Sequence, residues 1–219
     1  MIQIRNIFRL NWFATCRLNY LAGGWKAVFR MPIKVYGRLK LSLRGRIELP
    51  ENYIRNTLII GEPYEDNTVS AGVAQLVLDG EWRIEGIVRI GIDCFIGIRK
   101  GGVLTIGDNV FIGRESQIRV DMSVIIQRDT IIAKSYLTDT NEHKILRDGN
   151  PIPVCRPVVI GQRGRLNPCI VLPGTILPPD TTVGIGSLCN RDYSSDGACR
   201  LFLAGNPARV KSTDTYYVT

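Results

Sequence analysis

From residue 78 onward, large aliphatic side chains return at every sixth position, with polar or small residues between them: Leu78, Ile84, Ile90 and Ile96, then Ile106 and Ile112. Glycine follows the last four of these, as Gly91, Gly97, Gly107 and Gly113. After a longer step from Ile118, Ile126 and Ile132 continue the series, and Ile160, Leu166, Leu177, Val183 and Cys189 take it up again. A helix repeats its buried face at about 3.6 residues and a strand at about 2, so a period of six belongs to neither. It predicts a solenoid of short parallel strands in which three hexads make one triangular turn and each aliphatic stacks on its counterparts in a narrow interior. Glycine beside the aliphatic is expected at tight corners, where a positive φ would be costly for other residues. Upstream, Val35, Leu41 and Ile47 predict an irregular first turn, while residues 48–75 do not fit the period. The pattern divides the chain into an amino-terminal segment 1–46, an all-β solenoid 47–211 and a tail 212–219.

The 219 residues, 45% of them hydrophobic, suffice to bury a full core. No uncharged apolar run of about 18 residues occurs, and Arg9, Arg17, Lys26 and Arg30 interrupt the apolar stretches near the start. Neither a spanning helix nor a cleavable signal is predicted, and a cytoplasmic location is expected. The six cysteines show no CxxC spacing and, beside a single histidine, do not read as a zinc site of common type. Reduced, structural thiols are expected. The formal net charge of +8 is uneven: residues 1–46 hold ten Lys or Arg and no acid, and the remainder is slightly acidic. Ile4, Ile7, Phe8, Trp12, Phe13, Leu18, Leu21, Trp25, Val28 and Phe29 are interleaved with those bases, partly at helical spacing, and Gly23-Gly24 would split the segment into two short helices. Two readings stand open: a basic amphipathic pair lying on an anionic membrane surface, and an apolar face that packs on the following domain. Nucleic acid is not expected as a partner, since the body of the chain lacks a basic stripe.

His143 is the single histidine and ends the run Thr-Asp-Thr-Asn-Glu-His at 138–143. A catalyst built on one imidazole must use it, which makes His143 the candidate general base. Asp139, four residues earlier, either accepts the other ring N–H and fixes the tautomer or caps a loop. The stretch that follows is out of hexad phase and carries the turn-forming Asp-Gly-Asn-Pro-Ile-Pro at 148–153. It predicts a loop excursion over 139–158, with the coil resuming at Val158-Val-Ile-Gly161.

Three features together resemble the hexapeptide-repeat acyltransferases: the hexads of 78–211, the element Thr-Asp-Thr-Asn-Glu-His, and the closing Ala204-Gly-Asn-Pro-Ala-Arg-Val-Lys211. The second is similar to the Ser-Asp-Thr-x-x-His element of the branch that O-acetylates capsule, exopolysaccharide and lipopolysaccharide sugars. The resemblance implies a left-handed parallel β-helix, a homotrimer, acetyl-CoA as acyl donor without a metal, and a sugar or glycan acceptor; the basic amino-terminal segment adds the expectation that the glycan is lipid-linked at the inner face of the cytoplasmic membrane. It implies that extended CoA lies along a groove between subunits, with Gly184, Gly186 and Ser187 beside the pantetheine and Asn206, Pro207 and Ala208 forming the turn beneath the nucleotide. Arg209 and Lys211 would meet its phosphates or stand as solvated charges. One departure is that Gly164-Arg165-Leu166-Asn167 stands where the family commonly has Val-Trp-Ile-Gly, and the stretch to Leu172-Pro-Gly174 is one residue short, which predicts a distorted coil there. Other readings are an acetyltransferase of a small soluble acceptor such as serine or an amino sugar, and a non-catalytic β-helix binding module. A β-helix carbonic anhydrase is excluded, because it needs three histidine ligands.

Overall fold

The protein is described by a computed structural model that covers residues 10–62 and 73–215. Three parallel sheets form the sides of a coil that the chain visits in rotation, the first turn being Ile33–Val35, Leu39–Leu43 and Arg46–Glu48. The hexad aliphatics stack as the period predicts except Leu78, which pairs with Ile98 and leaves Leu76 opposite Ile96. Ile60, Ile90, Ile112, Ile132, Leu166 and Val183 lie in register on the first face. Leu76, Ile96, Ile118, Leu137, Val171 and Cys189 do so on the second. Ile84, Ile106, Ile126, Ile160 and Leu177 complete the third. All are buried in one continuous core. Each large aliphatic taken from water there contributes about 1.5–3 kcal/mol, and this drives the coil to close around them.

Two expectations need correction. The boundary expected at residue 46 falls inside the coil, because Val35 pairs with Ile60 and Leu41 with Leu76. Lys34, Arg38, Lys40, Arg44 and Arg46 therefore belong to the first turn rather than to a separate segment. The interval 48–75, which has no hexad phase, supplies the second turn through strands Leu58–Glu62 and Ala74–Leu78; residues 63–72 between them lie outside the described residues. The glycines that follow the aliphatics serve close approach rather than positive φ. A Cβ on Gly91 would stand 2.7 Å from the Arg114 nitrogen, and one on Gly107 2.6 Å from the Arg128 nitrogen. Left-handed corner conformations fall instead to Asp93, Asn109, Glu115, Asp129, Lys134, Arg163 and Asp180.

Helix α1, Trp12–Arg30, closes the amino-terminal end. Asn11 caps it by accepting the Ala14 N–H at 3.0 Å. Gly23 and Gly24 leave helical geometry, Gly24 at φ +60°, so the expected break falls where the glycine pair stands. The free edge of Ile33–Val35 would present unpaired backbone groups. α1 covers it: the Asn19 amide donates to Ile33 O at 2.8 Å and accepts from Ile33 N–H at 3.0 Å, and Thr15 accepts the Val35 N–H at 3.1 Å. Ala14 and Leu18 join the core from the same side of the helix. Ile4, Ile7 and Phe8 lie outside the described residues.

Candidate active site

The excursion is an arm built as a β-hairpin. The chain leaves the second face after Tyr136–Thr138, pairs Ile145–Arg147 with Asn150–Ile152, and returns at Val158–Ile160 on the third face. Asp148 and Gly149 both take positive φ, 51° and 79°, as a two-residue hairpin turn requires. The coil is uninterrupted beneath the arm, since Val124 pairs with Val158 and Ile126 with Ile160. At the root, Asn141 N–H donates to Val154 O at 2.8 Å and Arg156 N–H to Asp139 O at 2.9 Å. Arg156 also donates from its guanidinium to Pro173 O at 2.7 Å, which ties the returning strand to the next turn.

His143 stands exposed on this arm, and its own backbone N–H closes a tight turn onto Asn141 O at 2.7 Å. The residue before it is held: Glu142 accepts a 2.8 Å ion pair from Arg119 on the second face, and the Arg119 guanidinium lies over the rings of Phe95 and Tyr136 at 5.3 and 6.0 Å. Asp139 is fully buried and does the capping work. Its carboxylate accepts the N–H groups of Asp121, Met122 and Ser123 at 2.8, 2.8 and 2.6 Å. These bonds engage both oxygens, and among the described residues none joins Asp139 to the imidazole. Of its two expected roles, the chain itself displays the capping one.

An open cleft of about 560 Å³ runs along the corner between the first and second faces. It lies over two short corners. On neighbouring turns Ile112 leads to Ile118 and Val183 to Cys189, whereas Ile132 leads to Leu137 and Leu166 to Val171, one position sooner. The length anomaly expected around Asn167 is thus matched by the turn before it, and the ladder stays intact. Asn167 N–H donates to Val183 O at 3.1 Å and Ile170 N–H to Ser187 O at 2.9 Å, so the expected distortion does not occur. Ser135 bridges the two short corners, donating to Asn167 O at 3.2 Å and accepting the Cys169 N–H at 3.2 Å. On the rim, Lys134 and Glu115 pair at 2.7 Å, and that bond holds the Glu115 carboxyl below its ordinary range. Cys169 borders the cleft as well, but burial pushes its thiol up to about 11, so it is no thiolate at neutral pH. Arg165 turns its guanidinium back onto Asp129 O at 2.6 Å.

The residues assigned to CoA by resemblance are distributed along the axis. Gly186 and Ser187 border one end of the cleft. Gly186 adopts φ +72° facing open space, so glycine is needed there for its conformation. The Ser187 hydroxyl is committed to the coil, donating to Gly184 O at 2.6 Å and accepting the Gly205 N–H at 3.3 Å. Gly184 packs against Ala204. Asn206 and Pro207 form an exposed turn, Arg209 and Lys211 stand exposed on the strand after it, and Ala208 is buried with its carbonyl accepting from the Tyr193 hydroxyl at 3.2 Å. This turn lies three strand spacings beyond the coil turn from which the arm leaves, roughly 14 Å at about 4.8 Å each. Sequence reasoning missed Arg119, Tyr136, Glu115 and Lys134, whose meeting depends on the stacking of turns. The signal available in advance was the repeated shortening from Ile132 to Leu137 and from Leu166 to Val171.

No family model matches the chain, and no curated protein matches its sequence. Solved structures do resemble it. The polysialic-acid-specific acetyltransferase NeuO is 16% identical with a TM-score of 0.48, covering 86% of this chain and 79% of its own. The polysialic acid O-acetyltransferase OatWY is 15% identical with a TM-score of 0.47, covering 84% and 92%. The Bacillus cereus N-acyltransferase AntD, solved in complex with dTDP and coenzyme A, is 12% identical with a TM-score of 0.47, covering 83% and 80%. At these values the likeness says nothing of this chain's chemistry.

Proposed function

We propose that the protein is a left-handed β-helix acyltransferase that moves an acetyl group from acetyl-CoA to a sugar hydroxyl in surface-polysaccharide assembly, with His143 as general base. The observation that carries the reading is the exposed imidazole on a braced arm: Glu142 beside it is held by Arg119, and Arg119 lies against Tyr136 on the wall of the cleft. A sugar hydroxyl is a weak nucleophile at neutral pH. Imidazole takes its proton as the oxygen bonds to the thioester carbonyl carbon, and the imidazolium returns that proton to the CoA sulfur as the carbon–sulfur bond breaks. Gly186 at the cleft end and Arg209 and Lys211 beyond it suit the pantetheine and phosphate ends of an extended donor. A homotrimer places a neighbouring coil against the exposed arm and closes the site from water.

Thiol release from acetyl-CoA, followed across sugar, amino-sugar and serine acceptors, tests the reading. Acetylation of a sugar hydroxyl is expected, with His143→Ala lowering kcat by about 10²–10⁴-fold at an unchanged melting temperature. Undiminished turnover in that variant sinks the base assignment. Absence of acetyl-CoA binding by calorimetry would leave a non-catalytic module.

A further inference from the structure

α1 uses one side on the coil and leaves the other uncovered. Ala14, Thr15, Leu18, Asn19 and Ala27 are buried, whereas the rings of Trp12, Phe13, Tyr20, Trp25 and Phe29 stand between 54% and 83% exposed. Tyr20 and Trp25 meet edge to face at 5.5 Å, and Trp25 and Phe29 lie 6.5 Å apart, so the aromatic row continues across the glycine break. Five large rings along one short helix differ in kind from the single exposed apolar residues of any surface. Exposed cations are set among them at Arg17, Lys26 and Arg30, and Arg30 also lies 5.8 Å from the Tyr53 ring, which brings the exposed Ile54 and Arg55 to the same patch. Residues 1–46 contain no acid to offset these charges. Lys34, on the first strand, is held below its ordinary pKa by burial and, secondly, by the Arg55 charge.

We propose that the outward face of α1 docks the protein on an anionic lipid surface, its rings in the headgroup–acyl boundary and Arg17, Lys26 and Arg30 at the level of the phosphates. A second copy of the chain would bring like charges together on this face, whereas a bilayer carrying anionic lipid supplies both the apolar layer and the opposite charge. Among the described residues no helix is long and apolar enough to cross a membrane, and the bonds of Thr15 and Asn19 to the first strand keep α1 lying along the end of the coil. That end of the solenoid then faces the bilayer. This inference stands apart from the acyl-transfer reading, since it needs neither His143 nor CoA.

Flotation of the full-length protein with phosphatidylcholine vesicles, with and without phosphatidylglycerol, tests it. The wild type is expected to float with the anionic vesicles, less so at high salt, and its tryptophan emission to shift to the blue, because Trp12 and Trp25 are exposed while Trp82 is already buried. The triple variant Trp12→Ser, Trp25→Ser, Phe29→Ser, all surface positions, is expected to lose at least about tenfold in partitioning at an unchanged melting temperature and particle mass. Three results overturn the proposal: wild type that stays in the soluble fraction, a triple variant that floats equally well, or a triple variant that sheds a subunit in the absence of lipid. The last would assign the face to a neighbouring copy.

Discussion

Asp139 shows how a side chain left with two open tasks displays one of them once the turns are stacked. Its spacing from His143 suits a tautomer-fixing acid, but three backbone N–H groups of the turn at 121–123 converge on its carboxylate. The turn belongs to the preceding coil, so this demand appears only after the turns are stacked. Replacing Asp139 with Asn sets an NH2 group against at least one backbone N–H donor, that of Asp121 when the amide oxygen keeps the other two, and is expected to cost about 1–3 kcal/mol of stability in thermal or denaturant melts. kcat of the folded fraction and its pH profile should stay unchanged; a large kcat loss at unchanged stability would reinstate the tautomer role. Ser187 follows the same logic. Next to a glycine it reads as a donor-site residue, yet its hydroxyl closes the corner from inside, as Ser116 does by donating to Gly113 O at 2.7 Å and Thr181 to Pro178 O at 2.7 Å. Buried hydroxyls must be satisfied, and a corner carbonyl three residues back is the nearest acceptor. By contrast His143 was legible at once, because no other residue offers its chemistry.

Among the elements, those held by the hexad period were legible and those outside it were not. The period located the resumption at Val158, and outside it the glycine pair alone marked the break at Gly23-Gly24. It did not show that residues 145–152 form a hairpin; the Asp148-Gly149 turn was the available cue, and the short strands flanking it carry too little alternation to be recognised. α1 meets the packing reading with one side, which seals the first strand, while its other side stays bare. The arm is anchored to the coil but does not hold it together, as the ladder from Val124 to Val158 closes without it. Excising residues 141–154 and bridging the gap with glycines is therefore expected to keep the far-ultraviolet circular dichroism and melting temperature close to wild type while abolishing acetyl transfer. A collapse of the melting transition would show that the arm is structural.

At the scale of the whole molecule, repetition makes position along the axis interchangeable except where length changes. Each turn contacts only its neighbours, so stability sums over adjacent pairs, and local faults are felt one turn away. The short corners at 133–136 and 167–170 are such a case, joined by Ser135 to Cys169 at 3.2 Å. Inserting one glycine after Asn167 alone should part that bond and lower the melting temperature by several degrees, on the order of 1–3 kcal/mol. A second insertion after Ala133 should recover most of the loss, and failure to recover it would show that the two corners are independent. Hexad arithmetic detected the second shortening but not its partner, because Ile132 and Leu137 fall where the series was already interrupted by the arm. The matched pair also bears on how such a surface can change over time. Deepening or filling the hollow requires concerted edits at successive levels, so its depth in a relative should change by whole storeys, with intermediates that carry one edit penalised for a mismatch their neighbours cannot absorb.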